Sequence, residues 1–316
     1  MANREPVYYM APMLGITDAC FRTAYTRIFG GFDLGISPFI RTLQGQRFKK
    51  NGVVDLLPSK NTDLPVIPQI LTNQTDDFIH LANVLFDMGY PTLNLNMGCP
   101  VHSASGRRCG AGLLKEIDHV DAMLERVLTA VPCRLSVKTR IGYDSETDLL
   151  KMAAVLNRYP LEEVIIHPRT AQQKYQGDVN HDAFAAACAV LQHEIVYSGD
   201  IRSPEDLTNV QARHPHIHKW MIGRGILYDP YLMVKARRRP IPPPSAVGDF
   251  YQLLTELYRR RDLADPIIAT RLKTFVAYLG VGMNFSKDVV KMLRKAKRPD
   301  DMLACIHDVT SAQVLS

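Results

Sequence analysis

A repeating alternation constrains this chain more than any other feature. Short β-branched runs recur at residues 7–10, 34–36, 66–70, 92–95, 135–138, 164–166, 195–197 and 220–222, with amphipathic segments between most of them. In the 76–88 segment, Phe78, Leu81, Leu85 and Met88 recur at helical spacing, and Gly89 follows as a C-terminal stop. Near-continuous apolar strands separated by helices call for a parallel sheet covered on its outer face. Eight such units in about 225 residues match the usual size of a (β/α)8 barrel, the TIM-barrel architecture. An open doubly wound sheet is the rival, but it rarely needs eight strand–helix units.

The rhythm then stops. Residues 235–245 run Lys-Ala-Arg-Arg-Arg-Pro-Ile-Pro-Pro-Pro-Ser. Prolines neither continue a helix nor donate to a sheet, so this stretch reads as a stiff connector. Beyond it, 249–264, 266–279, 286–296 and 300–309 all read as helices, which predicts a small C-terminal bundle. The expected division is a barrel over 1–240 and a helical unit over 246–316.

The 316 residues are 46% hydrophobic and 22% charged, an ordinary globular balance. No apolar run is long enough for a signal peptide or a membrane span. Six cysteines are scattered without a C-x-x-C pair, which suggests free thiols in a reducing cytoplasm and no zinc site. The net charge of +6 leans mildly toward polyanionic partners.

The strongest chemical signal lies where the strands end. In a (β/α)8 barrel the C-terminal strand ends line the active-site mouth. Here they carry Pro12-Met13, Gln69, Asn94 and Asn96, Lys138 and Arg140, His167 and Arg169, Ser198-Gly199-Asp200, and Gly223-Arg224-Gly225. Each has a plainer reading. Gln69 can satisfy buried backbone groups, His167 can be a core histidine, and the glycine pairs can be turns. Lys138 resists the plain reading, because a lysine on a buried strand is seldom left unpaired. The glycine-rich ends follow the seventh and eighth strands, where such barrels often bind phosphate, and Arg224 adds a planar cationic fork. The set suits a phosphorylated, ring-bearing cofactor; a sugar-phosphate substrate explains the phosphate loops equally well. Cys99 sits between glycine and proline after two asparagines, a poor place for a buried filler. An unperturbed thiol has a pKa near ~8.5, so it is protonated at neutral pH and suits a general acid.

At this point the residues resemble the tRNA-dihydrouridine synthases, a bacterial FMN-dependent family. The similarity is carried by residues 11–18 (APMLGITD), 68–70 (PQI), 95–100 (LNMGCP), 136–142 (SVKTRIG), 167–170 (HPRT), Gly199-Asp200, 223–225 (GRG) and 271–279 (RLKTFVAYL). The N-M-G-C-P element is the most specific. The resemblance implies an FMN-dependent barrel with a helical RNA-binding domain, reduced by NADPH. Hydride would go to C6 of a uracil and a proton from Cys99 to C5. Pro12, Met13, Gln69, Lys138, His167, Arg169, Ser198, Gly199, Asp200, Gly223 and Arg224 would bind FMN. Asn96, Arg140 and Tyr175 would hold the uracil. Departures from the family pattern are Ser198 for asparagine, Ser37-Pro38 for Thr-Glu, Pro168 after His167, and His102 and Ser103 where lysines are usual.

A uridine inside folded RNA must be swung out, at a cost that cationic backbone contacts offset. The candidate contacts are Arg107, Arg108, Lys287, Lys291, Arg294 and Lys295, with Lys297, Arg298 and the linker residues Lys235, Arg237, Arg238 and Arg239 nearby. The expectation is a monomeric, cytoplasmic reductase of RNA, tRNA first, with no metal and no membrane partner. Two alternatives remain: a flavin barrel acting on a free pyrimidine or enoyl compound, and an RNA-binding relative whose catalysis has lapsed.

Overall fold

The computed structural model describes residues 4–100 and 108–312. Eight parallel strands form a closed ring: Val7–Met10, Leu34–Ile36, residues 66–71, Thr92–Met97, Arg134–Gly142, Glu163–Thr170, Glu194–Tyr197 and Lys219–Ile222. The first strand pairs with both the second and the eighth, which closes the barrel. The third strand is split at Pro68. Val66–Ile67 pairs with the second strand, and Gln69–Leu71 pairs with the fourth. Proline has no N–H to give to a ladder, so the break falls there.

Side-chain alternation along the strands separates two apolar regions. Tyr9, Ala11, Ile36, Ile165, Val196 and Met221 fill the inside of the barrel. Tyr8 and Met10 point outward and join the cluster under the helices. Low in the barrel, Glu163 accepts a bond from the Tyr9 hydroxyl at 2.8 Å and pairs with Lys219 at 3.0 Å. These pairings let a buried carboxylate sit among apolar residues.

A hairpin absent from the sequence reading follows the second strand. Ile40–Leu43 pairs in parallel with Gln69–Leu71 and antiparallel with Arg47–Phe48. Its strands are short and partly exposed, so they carry no clear apolar period.

The C-terminal helices are Ser245–Arg259, Asp265–Gly282, Lys287–Lys295 and Pro299–Ala312. They share one apolar cluster with the barrel helices. Phe21, on the barrel helix Ala19–Ile28, meets Phe250 at 5.5 Å and Phe275 at 5.4 Å between ring centroids. Ion pairs Arg271–Asp18 (2.5 Å) and Arg261–Asp55 (3.1 Å) cross the same seam. The connector is less free than its sequence suggests. Lys235 lies in the helix Leu232–Ala236 and pairs with Asp229 at 2.7 Å. Arg237 donates to the carbonyls of Gly31 and Pro6 and pairs with Asp33. These two charges are spent on the barrel. Among the described residues no helix is long and apolar enough to cross a membrane.

Candidate functional site

The fourth strand ends in Asn96 and Met97, and the chain then turns through Gly98 to the half-buried Cys99. Four hydrogen bonds hold this turn. The Asn96 side-chain oxygen accepts from the backbone N–H groups of Gly98 (3.1 Å) and Cys99. The Cys99 carbonyl accepts from the Ala111 N–H at 3.0 Å. Arg140 Nε donates to the Gly98 carbonyl at 2.7 Å. Gly110 makes the close approach possible. Its φ is +56°, and a Cβ there would lie 2.7 Å from the Cys99 carbonyl oxygen. Cys99 packs against Leu71 and Cys109.

Lys138 stands beside Asn96 on the neighbouring fifth strand. No ion pair or hydrogen bond satisfies its ammonium among the described residues. Burial pulls its pKa down to about 7, helped by the charge of Arg140 and opposed by Cys99. His167 is held well below the usual imidazole range, first by burial and then by Arg140, Lys138, Arg169 and Arg224. Its Nε2 lies 3.3 Å from an Arg169 nitrogen that can only donate, so Nε2 accepts and the ring proton sits on Nδ1. Asp200 is the carboxylate amid these cations. It pairs with Arg169 (2.6 Å), Arg224 (2.9 Å) and Arg202 (3.4 Å). Burial works to raise its pKa, but the Arg169 bond and the three charges outweigh it and leave it below the usual carboxylate range.

The remaining mouth residues fall into place around this centre. Pro12 and Met13 open the loop after the first strand, which Thr17 closes by accepting from the Met13 N–H at 2.8 Å. A Cβ on Gly223 would lie 3.7 Å from Met13 Sδ, and one on Gly225 would lie 2.2 Å from the Ile201 carbonyl. The loops after the seventh and eighth strands therefore touch through glycine backbone. Gly199 turns tightly over Tyr197, and Ser198 donates its N–H to Ile166 at 2.9 Å. Tyr175 is 55% exposed at the rim. The Arg224 guanidinium lies 4.4 Å from its ring centroid and that of Arg140 lies 5.6 Å away.

The structure thus brings the sequence-derived mouth residues to one face, but it gives several of them work of their own. Asn96 binds Gln69 through Nδ2 at 2.7 Å and the cysteine turn through Oδ1. Arg140 is buried and donates to the carbonyls of Gly98, Thr170 and Lys174, so it braces both the cysteine turn and the segment beside Tyr175. Arg169 is likewise buried, on Asp200 and the Gly177 carbonyl. Sequence reasoning missed Arg202, which shares Asp200; its place after the glycine-rich loop was the available signal. Lys287, Lys291, Arg294 and Lys295 are exposed on one helix that buries Leu293, and no ion pair neutralises them among the described residues. Arg108 pairs with Glu116 at 3.2 Å. Arg107, His102 and Ser103 lie outside the described residues.

The fold and the mouth define a (β/α)8 barrel whose open end is strongly cationic and carries one presented thiol. The family model for dihydrouridine synthase (Dus) matches residues 9–261, and the chain belongs to that family. A relative named "Probable tRNA-dihydrouridine synthase", from Rhodobacter capsulatus, is 29% identical over 81% of this chain and 82% of its own length. A tRNA-dihydrouridine(16) synthase from Pseudomonas putida is 27% identical over 92% and 93% of the two chains. A tRNA-dihydrouridine synthase B from Xanthomonas campestris is 27% identical over 98% and 94%. Among solved structures, morphinone reductase aligns at a TM-score of 0.54 and 9% identity over 79% of this chain and 94% of its own. A variant of NCR from Zymomonas mobilis aligns at 0.54 and 12% over 75% and 88%. At these identities the structural likeness is one of fold.

Proposed function

We propose that the protein is a flavin-dependent dihydrouridine synthase that reduces uridine in tRNA to 5,6-dihydrouridine. The observation that carries this reading is the pairing at the mouth of a presented thiol, Cys99, with an uncompensated ammonium, Lys138, on the adjoining strand. The donor set fits FMN. A cation without a partner suits the negative N1 and C2-carbonyl region of a reduced flavin. Gln69 is fully buried and acts through Asn96, which it holds, while Met13 and Pro12 offer an apolar surface to the ring. Arg224 and the Gly199-Asp200 and Gly223 backbone suit the phosphate.

Bound FMN, reduced by NADPH, would supply hydride to C6 of the uracil. The chain's own residues do the rest. Lys138 holds positive charge where the cofactor becomes negative. Cys99 gives its proton to C5 as a general acid and is reprotonated from solvent. Asn96 and Arg140 fix the cysteine turn and face the uracil from beside it. Tyr175 offers a ring face for a base to stack on. His167 stays neutral and orients with Arg169.

Residues 1–240 then form the catalytic barrel and 246–316 the RNA-binding unit of a cytoplasmic monomer. Lys287, Lys291, Arg294 and Lys295 meet the RNA backbone, and their contacts offset the cost of extruding the base. Purified protein with FMN and NADPH, given an unmodified tRNA transcript, tests the reading. Dihydrouridine in the transcript but not from free uridine is the expected result. Reduction of free uridine alone points to the small-molecule barrel, and protein that cannot be loaded with flavin points to a lapsed relative.

A further inference from the structure

The amides of Gln69 and Asn96 belong to a longer chain of hydrogen bonds whose two ends impose a direction on it. At one end the Ser136 hydroxyl donates to the Leu93 carbonyl at 3.2 Å. That uses its one proton, so Ser136 Oγ can only accept from its other neighbour, and Asn94 Nδ2 donates to it at 2.8 Å. Asn94 must then turn Oδ1 to Gln69, whose Nε2 donates at 2.7 Å. Gln69 turns Oε1 to Asn96, whose Nδ2 donates at 2.7 Å. Asn96 finally turns Oδ1 to the N–H groups of Gly98 and Cys99.

The nitrogen and oxygen of a carboxamide are told apart by their partners. Here both ends of the relay are backbone groups of fixed polarity, a carbonyl at Leu93 and an N–H at Cys99. Reversing any one amide would set donor against donor on one side and acceptor against acceptor on the other. Ser136, Asn94 and Gln69 are each 0% exposed, so water does not compete for these bonds.

We propose that Ser136 and Asn94 are positioning residues for the mouth. They act through this relay to fix the orientation of the Gln69 and Asn96 amides and where the Cys99 turn is held. Within the relay Gln69 Nε2 spends one hydrogen on Asn94 Oδ1, and Oε1 accepts from Asn96. Neither Ser136 nor Asn94 touches a reacting atom. The inference rests on reading Cys99 as the proton donor, but the setting of its turn can be measured independently of catalysis.

Ser136→Ala removes the anchor and strands Asn94 Nδ2. The first readout is the alkylation rate of Cys99 by iodoacetamide in flavin-free protein, followed on the Cys99 peptide by mass spectrometry. A change of about fivefold, the scale of one hydrogen bond, is expected. Ser136→Thr keeps the hydroxyl and restores the wild-type rate. The second readout is turnover: kcat on tRNA falls about ten- to a hundredfold while KM holds within about twofold, as for a small misplacement. If Ser136→Ala does not fold, Asn94→Ser, which shortens the relay, takes its place with the same readouts. Wild-type alkylation and wild-type kcat in a folded variant overturn the proposal. Altered Cys99 alkylation in an enzyme that makes no dihydrouridine at all supports the relay and sinks the reaction instead.

Discussion

Replacing Lys138 by methionine should make the flavin-free protein more stable and the enzyme inactive. The ammonium sits at a buried strand end with no counter-ion among the described residues, and its pKa falls from 10.5 to about 7. At about 1.4 kcal/mol per pKa unit that shift bounds the penalty near 5 kcal/mol. Lys138 is half-buried and keeps part of its surface in solvent, which screens the charge, so about 1–2 kcal/mol is expected. The pH dependence has a definite sign. Between pH 7 and 10.5 the unfolded chain holds the lysine proton and the folded chain does not, so wild-type stability rises with pH across that window. Below about pH 7 both states hold it and the penalty is complete. Urea unfolding of flavin-free wild type and Lys138→Met at pH 6 and pH 10 reads this directly. The variant should be more stable at pH 6, with the gap closing toward pH 10. The same variant should bind FMN more weakly, since the charge that is costly without the cofactor is the one matched to it. No gap at pH 6, or a gap that widens with pH, refutes the reasoning.

Asp200→Asn should destabilise the flavin-free protein by about 1–3 kcal/mol at pH 7, because three arginines lose their carboxylate. That folded carboxyl titrates below its ordinary 3.8, so the wild-type advantage in thermal unfolding should persist above that pH and vanish below it. Gly110→Ala places a Cβ 2.7 Å from the Cys99 carbonyl oxygen at a positive φ. It should cost about 1–3 kcal/mol and lower kcat by displacing the cysteine turn, as unfolding and turnover assays can check. Charge reversal at Lys291, Arg294 and Lys295 should weaken tRNA binding. The slope of log affinity against log salt in filter binding should flatten by about one for each phosphate contact removed.

The barrel was legible because its periodicity is local. The first and second strands, 7–10 and 34–36, agree residue for residue with the structure. The fifth and sixth run on to Gly142 and Thr170, past where their apolar patterns stop. Thr139, Arg140, His167 and Arg169 are polar yet buried: Thr139 and Arg140 bond to Met97 and Thr170 on neighbouring strands, His167 meets Arg169 on its own strand, and Arg169 reaches Gly177 and Asp200 in loops. The hairpin at 40–48 left no period to find. The mouth was legible as a set, since all strands of a parallel barrel end at one face. The partners of each mouth residue were not. Asn96 reaches Gln69 across 27 positions, and Arg140 reaches Thr170 across 30. Ser136 reads in sequence as a polar interruption of an apolar run, and only its contacts with Leu93 and Asn94 show what it does. Tyr175 entered through family resemblance, because an exposed loop tyrosine carries no signal of its own.

The most direct measurement is a map of dihydrouridine in tRNA from cells lacking this gene, complemented by wild type or by Cys99→Ala. Loss of dihydrouridine at one or more positions is expected in the deletion, with recovery by wild type. Cys99→Ala should fail to restore it while the purified variant still binds FMN and accepts electrons from NADPH. Dihydrouridine unchanged by the deletion would contradict the assigned function, and full recovery by Cys99→Ala would contradict the proton donor on which the mechanism turns.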